Sequence, residues 1–119
     1  MRQMSFLLTT QQMLARTKTV TRKLGWATLQ PGTLIQAVEK SQGLGKGGKV
    51  RKLGVIRIVS VRREPLDRVL YKGSLDDIER EGFPTMSGDQ FVAMFCEHMR
   101  CNDDVEVTRI EFEHVEEAQ

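Results

Sequence analysis

At 119 residues, with 39% hydrophobic and 29% charged side chains, the chain has the make-up of one globular domain with a single core. No apolar run approaches the ~18 residues of a membrane span, and the first eight residues lack a secretory h-region. A formal charge of +2 does not announce a nucleic-acid binder, but thirteen of the 18 Lys and Arg precede Glu64, whereas 15 of the 16 acids lie from Glu64 onward.

Folded together, these halves either neutralise one another or present a basic and an acidic face, the former attracting phosphates in a salt-dependent way. A cytoplasmic location is expected, with Cys96 and Cys101 as free thiols.

In chain order, Ser5-Phe6-Leu7-Leu8 predicts a first strand, and Thr9 or Thr10 caps a short helix over Gln11–Ala15. Residues 16–23, Arg-Thr-Lys-Thr-Val-Thr-Arg-Lys, then place four cations and three threonines in eight positions, ahead of the only tryptophan, Trp26. β-Branched residues favour extended backbone. Alternation puts Lys18 and Val20 on one face and Thr19 and Thr21 on the other, so a bulge or strand end is needed to bring Lys18 and Thr21 together. Hydroxyl, ammonium and guanidinium groups this close suit an anionic or hydrogen-bonding ligand; a charged edge strand that resists aggregation has the same composition. Trp26 reads either as core or as a platform for a nucleobase.

Pro31-Gly32 is a turn signal, followed by a strand over Thr33–Glu39 with Leu34, Ile35, Ala37 and Val38 mostly buried. Ser41–Lys52 carries four glycines and four cations and predicts a loop. It is no nucleotide-binding P-loop, because no Gly-Lys-Ser/Thr follows. Lys46, Lys49, Arg51 and Lys52 either touch phosphates or solvate a flexible hairpin. Leu53–Val61 is the clearest strand, apolar on both faces as in a covered barrel, with Gly54 allowing a bulge; Arg62, Arg63 and Glu64 then leave the sheet and Pro65 stops it.

Ser74-Leu75-Asp76-Asp77 opens a short helix that runs to Glu81, with Gly82 as its C-cap. Ser87-x-x-Gln90 opens another, whose stripe Phe91, Met94, Phe95 and His98 reads as core. Val105–Val115 is the last strand, where a slip in parity between Val107 and Ile110 suggests a bulge. Cys96-x-His98-x-x-Cys101 lacks a partner set for zinc, and no metal is expected. Glu111, Glu113, Glu116 and Glu117 read as a solvated face and end.

The run Arg16-Thr17-Lys18-Thr19-Val20-Thr21-Arg22 resembles the signature near the start of ASCH domains, small PUA-like β-barrels associated with RNA. Glu79-Arg80-Glu81-Gly82-Phe83 resembles the acidic E-G-F segment that follows the barrel strands in that family. Order and spacing extend the likeness over most of the chain. The resemblance implies an α+β fold, a small PUA-like β-barrel with short flanking helices, as a single domain over residues 1–119. It implies binding of RNA or a modified nucleotide in a basic cleft beside the barrel. Arg16, Thr19, Arg22, Lys23, Trp26, Lys46, Lys49, Arg51 and Lys52 are the contacts expected for it.

The family also includes bacterial amidohydrolases that remove an acetyl group from a modified cytidine, using a lysine, a threonine three residues on and a glutamate from the helix region. Matched by position these are Lys18, Thr21 and Glu81. In that reading Thr21 is the nucleophile. Lys18 takes its proton if burial beside Arg16 and Arg22 lowers its pKa, and otherwise stabilises the oxyanion. Glu81 serves as acid or base, or orients Lys18. A ribonuclease would reuse Lys18 and Glu81 around a ribose hydroxyl. The chain departs from the family at Ala15, often glycine, at Arg22, which directly follows Thr21, at Thr33, where an acid is usual, and in its longer Gly-rich loop. These departures leave the substrate open. No cofactor is expected; the partner is RNA or a modified nucleoside, with no membrane, and the chain a monomer or weak dimer.

Overall fold

One long strand frames the computed structural model, which describes residues 1–40, 48–71 and 75–116. β4 (Lys52–Pro65) carries the β-branched run and pairs antiparallel with β3 (Leu34–Val38) on one side and β5 (Glu106–Val115) on the other. β2 (Val20–Lys23) adds antiparallel to β5, and β1 (Gln3–Ser5) adds parallel to β3, giving a five-stranded sheet in the order β1-β3-β4-β5-β2. Three short helices, α1 (Thr10–Leu14), α2 (Leu75–Arg80) and α3 (Gly88–Met99), complete an α+β fold. The class is the expected one, but the barrel is not closed: β1 and β2 remain edges of the sheet. A side chain crosses this seam instead, as Lys23 on β2 donates to the carbonyl of Ser5 on β1.

Two apolar clusters sit against this sheet. Met4, Phe6, Met13, Ile35, Ile56, Ile58, Ile110 and Phe112 form the first, and Leu66, Val69, Ile78, Phe91, Val92, Phe95 and Val107 the second. β5 feeds both, which explains its broken parity. Its register with β4 is continuous from Val107 to Ile110, so the expected bulge is absent there; Val107 joins the helices while Ile110 and Phe112 join the other cluster. The irregularity lies on the partner strand, between Ile58 and Ser60, where Val59 is left 45% exposed. A second irregularity, between Ala37 and Val38, lies beside Gly54.

Several boundaries move relative to expectation. The first strand is Gln3–Ser5, and Leu7–Thr9 forms a 3₁₀ turn because the Thr10 hydroxyl bonds back to the carbonyls of Phe6 and Leu7. Leu34 is exposed, since strand alternation turns Ile35 inward. Arg62, Arg63, Glu64 and Pro65 do not leave the sheet but pair with Arg109 through Glu106. Their charges find partners there: Arg63 takes Glu106, and Glu64 takes Arg62 and Arg22. The Pro31-Gly32 turn forms as expected, with Gly32 at φ 89°, and α3 opens with the Ser87–Gln90 capping box. Ser74, Lys46 and Glu117 lie outside the described residues. Among the described residues no helix is long and apolar enough to cross a membrane.

α2 stops at Gly82, which has φ 105°, and the Phe83 N–H returns to the Ile78 carbonyl at 3.2 Å. Gln12 of α1 donates to the Gly82 carbonyl at 3.2 Å, and a Cβ on Gly82 would lie 2.8 Å from Gln12 Cγ. Backbone and neighbour therefore both require glycine. Gly82→Ala should destabilise the fold by about 1–3 kcal/mol in urea unfolding. Adding Gln12→Ala should recover only the part due to the contact.

Candidate functional site

The basic stretch is shaped by backbone bonds on both sides. Arg16 ends α1 in the left-handed region (φ 61°), its N–H bonding to the Met13 carbonyl, so the chain turns sharply before Thr17. The Thr19 N–H bonds to the Arg80 carbonyl at 2.8 Å, and the Thr19 carbonyl accepts from Phe112 N–H at 2.9 Å. His114 Nε2 donates to the Lys18 carbonyl at 2.7 Å. The segment before β2 is thus clamped between the end of α2 and β5, and Lys18 is laid directly against Glu81.

Lys18 Nζ donates to the Glu81 backbone carbonyl at 2.7 Å and to Glu81 Oε1 at 2.9 Å, with both side chains buried. Arg22 Nη1 holds the other oxygen, Oε2, at 2.8 Å. Arg22 Nη2 reaches Asp77 of α2 and, at 3.3 Å, Glu64 of β4. Arg109 of β5 grips Asp77 through Nε at 2.9 Å and Nη2 at 2.6 Å. Arg22 Nε is a buried nitrogen left without a partner among the described residues, a cost of about 1–3 kcal/mol within the cluster.

Burial pushes the Lys18 ammonium towards its neutral form, and Glu81 opposes this. For Arg22 burial acts to lower the pKa, but Glu81 and Asp77 outweigh it and hold it above the usual value. Burial acts to raise the Asp77 carboxyl, while Arg109 and Arg22 outweigh it and hold it well below the usual range. Lys23 differs from these. It has no carboxylate partner among the described residues: its ammonium bonds to the Ser5 carbonyl and sits 4.8 Å from the Phe6 ring centroid. Desolvation, then repulsion by Lys18, push its pKa down to about 8.

A cavity of about 250 Å³ opens over this cluster. Its polar lining, the floor, is Lys18, Thr21, Arg22, Lys23 and Glu81, its aromatic and thioether lining, the wall, is Phe83, Phe91, Met94, Phe95 and Met99, and Leu7, Leu8 and Thr9 also line it. The hydroxyls of Thr9 and Thr21 bond to no other group among the described residues, although both residues are buried. The floor therefore offers ammonium and hydroxyl donors beside a carboxylate acceptor, and the wall offers aromatic and thioether surface. Among the described residues no group of three His, Cys, Asp or Glu is placed to hold a metal ion.

The structure brings Lys18, Thr21, Glu81, Arg22 and Lys23 to one cavity. The strand begins only at Val20, so Lys18 escapes the alternation that would have opposed it to Thr21. Arg16 points to solvent, Thr19 accepts from Arg80 Nε at 3.3 Å, and neither lines the cavity. Trp26 packs half-buried on the sheet core with the Arg2 guanidinium 4.2 Å from its ring centroid, and it too is outside the cavity. Lys49, Arg51 and Lys52 are exposed, Arg51 pairing with Glu39 at 3.1 Å. The α3 stripe is core at three positions: Phe91 and Phe95 are buried, Met94 packs half-buried against their cluster, and all three also line the cavity, whereas His98 is exposed and lines the cavity only. Glu111 is no free solvated acid, since it pairs with Arg80 and Ser60. Glu64, Asp77 and Arg109 were not expected at the site, and the only signal for them was charge inside otherwise β-like or capping segments.

No protein-family model and no curated protein matches the chain. Solved structures do resemble it. A hypothetical protein, PH0355, superposes with a TM-score of 0.63 at 18% identity, covering 95% of this chain and 97% of that one. An ASCH domain from Lactobacillus crispatus JV V101 gives 0.58 at 17% identity, covering 95% and 78%. A DUF984 protein from Enterococcus faecalis V583 gives 0.57 at 17% identity, covering 89% and 69%. At these identities the likeness establishes an ASCH-like fold.

Two outcomes test the electrostatics. Glu81→Gln strands the buried Lys18 charge and should cost about 3–5 kcal/mol in denaturant unfolding, whereas pairing it with Lys18→Met should restore much of that loss. Lys23 binds its proton less tightly folded (about 8) than unfolded (10.5), so between these values the unfolded chain holds more protons. Its contribution to stability should therefore rise from pH 8 to 10.5. A pH series of unfolding free energies should show that rise in wild type and lose it in Lys23→Gln.

Proposed function

We propose that this protein binds RNA or a modified nucleotide by taking one nucleobase into the cavity between the basic stretch and α3. The observation that supports this is the pairing of an aromatic and thioether wall with a floor carrying both donors and an acceptor. A nucleobase has apolar faces and a hydrogen-bonding edge, and needs both surfaces at once. The volume, about 250 Å³, is below the roughly 300–1,000 Å³ of drug-sized pockets, and so suits one base rather than a stacked run. Glu81 accepts from an exocyclic amine or ring N–H, and Lys18 and Thr21 donate to a ring carbonyl.

A second reading rests on the free Thr21 hydroxyl in the same cavity as the Lys18–Glu81 pair. With an acylated pyrimidine nucleoside, Thr21 Oγ attacks the acyl carbonyl and its proton passes to Lys18 in the amine form. As the amide C–N bond breaks, that proton goes to the departing exocyclic nitrogen. Water then attacks the acyl-threonine, releasing the carboxylic acid and the free hydroxyl. Protonated Lys18 instead polarises the carbonyl as an oxyanion donor.

Thr21→Ala separates the readings because Thr21 supports no ion pair. Wild type and variant should be given acetylated cytidine, other acylated nucleosides and short single-stranded RNA, with binding followed by calorimetry and products by chromatography. Binding alone predicts no product and an affinity loss of about 10-fold or less in the variant. Nucleophilic catalysis predicts released acid and free nucleoside, falling by well over ~100-fold on substitution. Shortened RNA would identify a ribonuclease, and no binding of any compound would reject the nucleobase reading.

A further inference from the structure

The cations around the cavity differ in what they already hold. Lys18 is held by Glu81, Arg22 by Glu81, Asp77 and Glu64, and Arg109 by Asp77. Each of these charges is already matched by a carboxylate, and Lys18 keeps one N–H for a neutral acceptor such as a carbonyl oxygen. Lys23 is the exception: it lines the cavity, and its ammonium has one carbonyl acceptor, Ser5, and the face of Phe6. Lysine carries three N–H donors, so two remain for a ligand. Thr9, whose hydroxyl has no partner among the described residues, lines the same cavity.

We infer that the preferred ligand is a nucleoside monophosphate, whose terminal phosphate binds Lys23 and the Thr9 hydroxyl while its base lies against the α3 wall. This rests on the nucleobase reading above and adds the charge of the ligand to it. One ammonium with no carboxylate contact among the described residues, beside a neutral hydroxyl donor, matches one compact anion, and lysine binds phosphate as a point charge. An internal phosphodiester fits less well. Its chain must continue in two directions from the phosphate, while the Lys23 ammonium already has the Ser5 carbonyl and the Phe6 ring against it and lines only a small cavity. An anion beside Lys23 offsets by charge attraction the desolvation that lowers its pKa, so anion binding favours the ammonium form.

The test is calorimetric titration at pH 7 of wild type, Lys23→Gln and Lys23→Arg with the common ribonucleosides, their 5′-monophosphates and a short single-stranded RNA. Wild type should bind at least one monophosphate about 10- to 100-fold more tightly than its nucleoside, the scale of one charge-assisted contact. That ratio should fall to about two or less in Lys23→Gln and largely persist in Lys23→Arg. Thermal unfolding of the free variants confirms that they fold, and should one fail, the wild-type ratio still decides. Equal wild-type affinity for nucleoside and monophosphate overturns the inference but leaves the nucleobase reading in place. RNA that binds more tightly than every monophosphate overturns it too, since a chain phosphate is then the ligand. Failure of all three ligand types in wild type overturns the nucleobase reading itself.

Discussion

A buried carboxylate has to be matched by cations, and Glu81 takes both of its partners, Lys18 and Arg22, from one short basic stretch. Burying each ion costs several kcal/mol even after relaxation, and a well-packed apolar cluster of equal volume is often as stable or more so. Stability alone is therefore a poor reason for such a cluster. Geometry is a better one. Lys18 grips the backbone and one side-chain oxygen of Glu81, Arg22 grips the other, and Gln12 holds the next carbonyl. Glu81 has no freedom to rotate away from the cavity, so any ligand that uses it meets an acceptor already fixed in place.

The same pairing answers a question that composition leaves open. A basic front half and an acidic back half can form two opposed faces or can neutralise one another. Here Lys18, Arg22, Arg57 and Arg63 from the front find Glu81, Asp77, Glu64, Glu113 and Glu106 from the back. The sheet does this directly, because β2 and β4 of the basic half flank β5 of the acidic half. Lys18 and Arg22 are thereby matched inside the fold, and Arg57 and Arg63 at its surface. Among the described cavity-lining cations Lys23 alone has no carboxylate contact, which suits one small anion there rather than a run of phosphates.

How much of this was legible follows from which interactions are local. Residues 16–23 announce themselves by composition, and the α3 capping box and stripe by period. The likeness at Glu79–Phe83 pointed to Glu81, which does meet Lys18. Asp77, Glu64 and Arg109 were not legible, because each owes its position to pairing between strands and helices far apart in sequence. Glu64 looked like the charged end of a strand, yet its register opposite Val107 carries it into the interior. β5 shows a limit of another kind. Period-2 reasoning assumes that one face is buried, and a strand shared between two apolar clusters breaks that assumption without any bulge. The α3 stripe has the converse problem, since period identifies a face but not whether a neighbour or a cavity covers it.

The chemistry open to the site turns on the protonation of Lys18. Desolvation favours the amine, which a general base requires, while a carboxylate at 2.9 Å favours the ammonium. Closing the cavity with a ligand excludes water and strengthens both effects, so it does not by itself free the amine. The balance changes only if Glu81 is drawn off by a ligand donor, or if another cation approaches. Lys23 already adds a positive charge nearby, and an anionic ligand at Lys23 would cancel it and leave Lys18 more firmly protonated. A Lys18 held as ammonium is a fixed donor towards a carbonyl oxygen, a role that serves recognition and oxyanion stabilisation alike. Base catalysis needs an additional event at Glu81, whereas binding needs none. The proposed recognition therefore needs no change in this geometry, whereas hydrolysis needs a ligand that draws Glu81 away from Lys18.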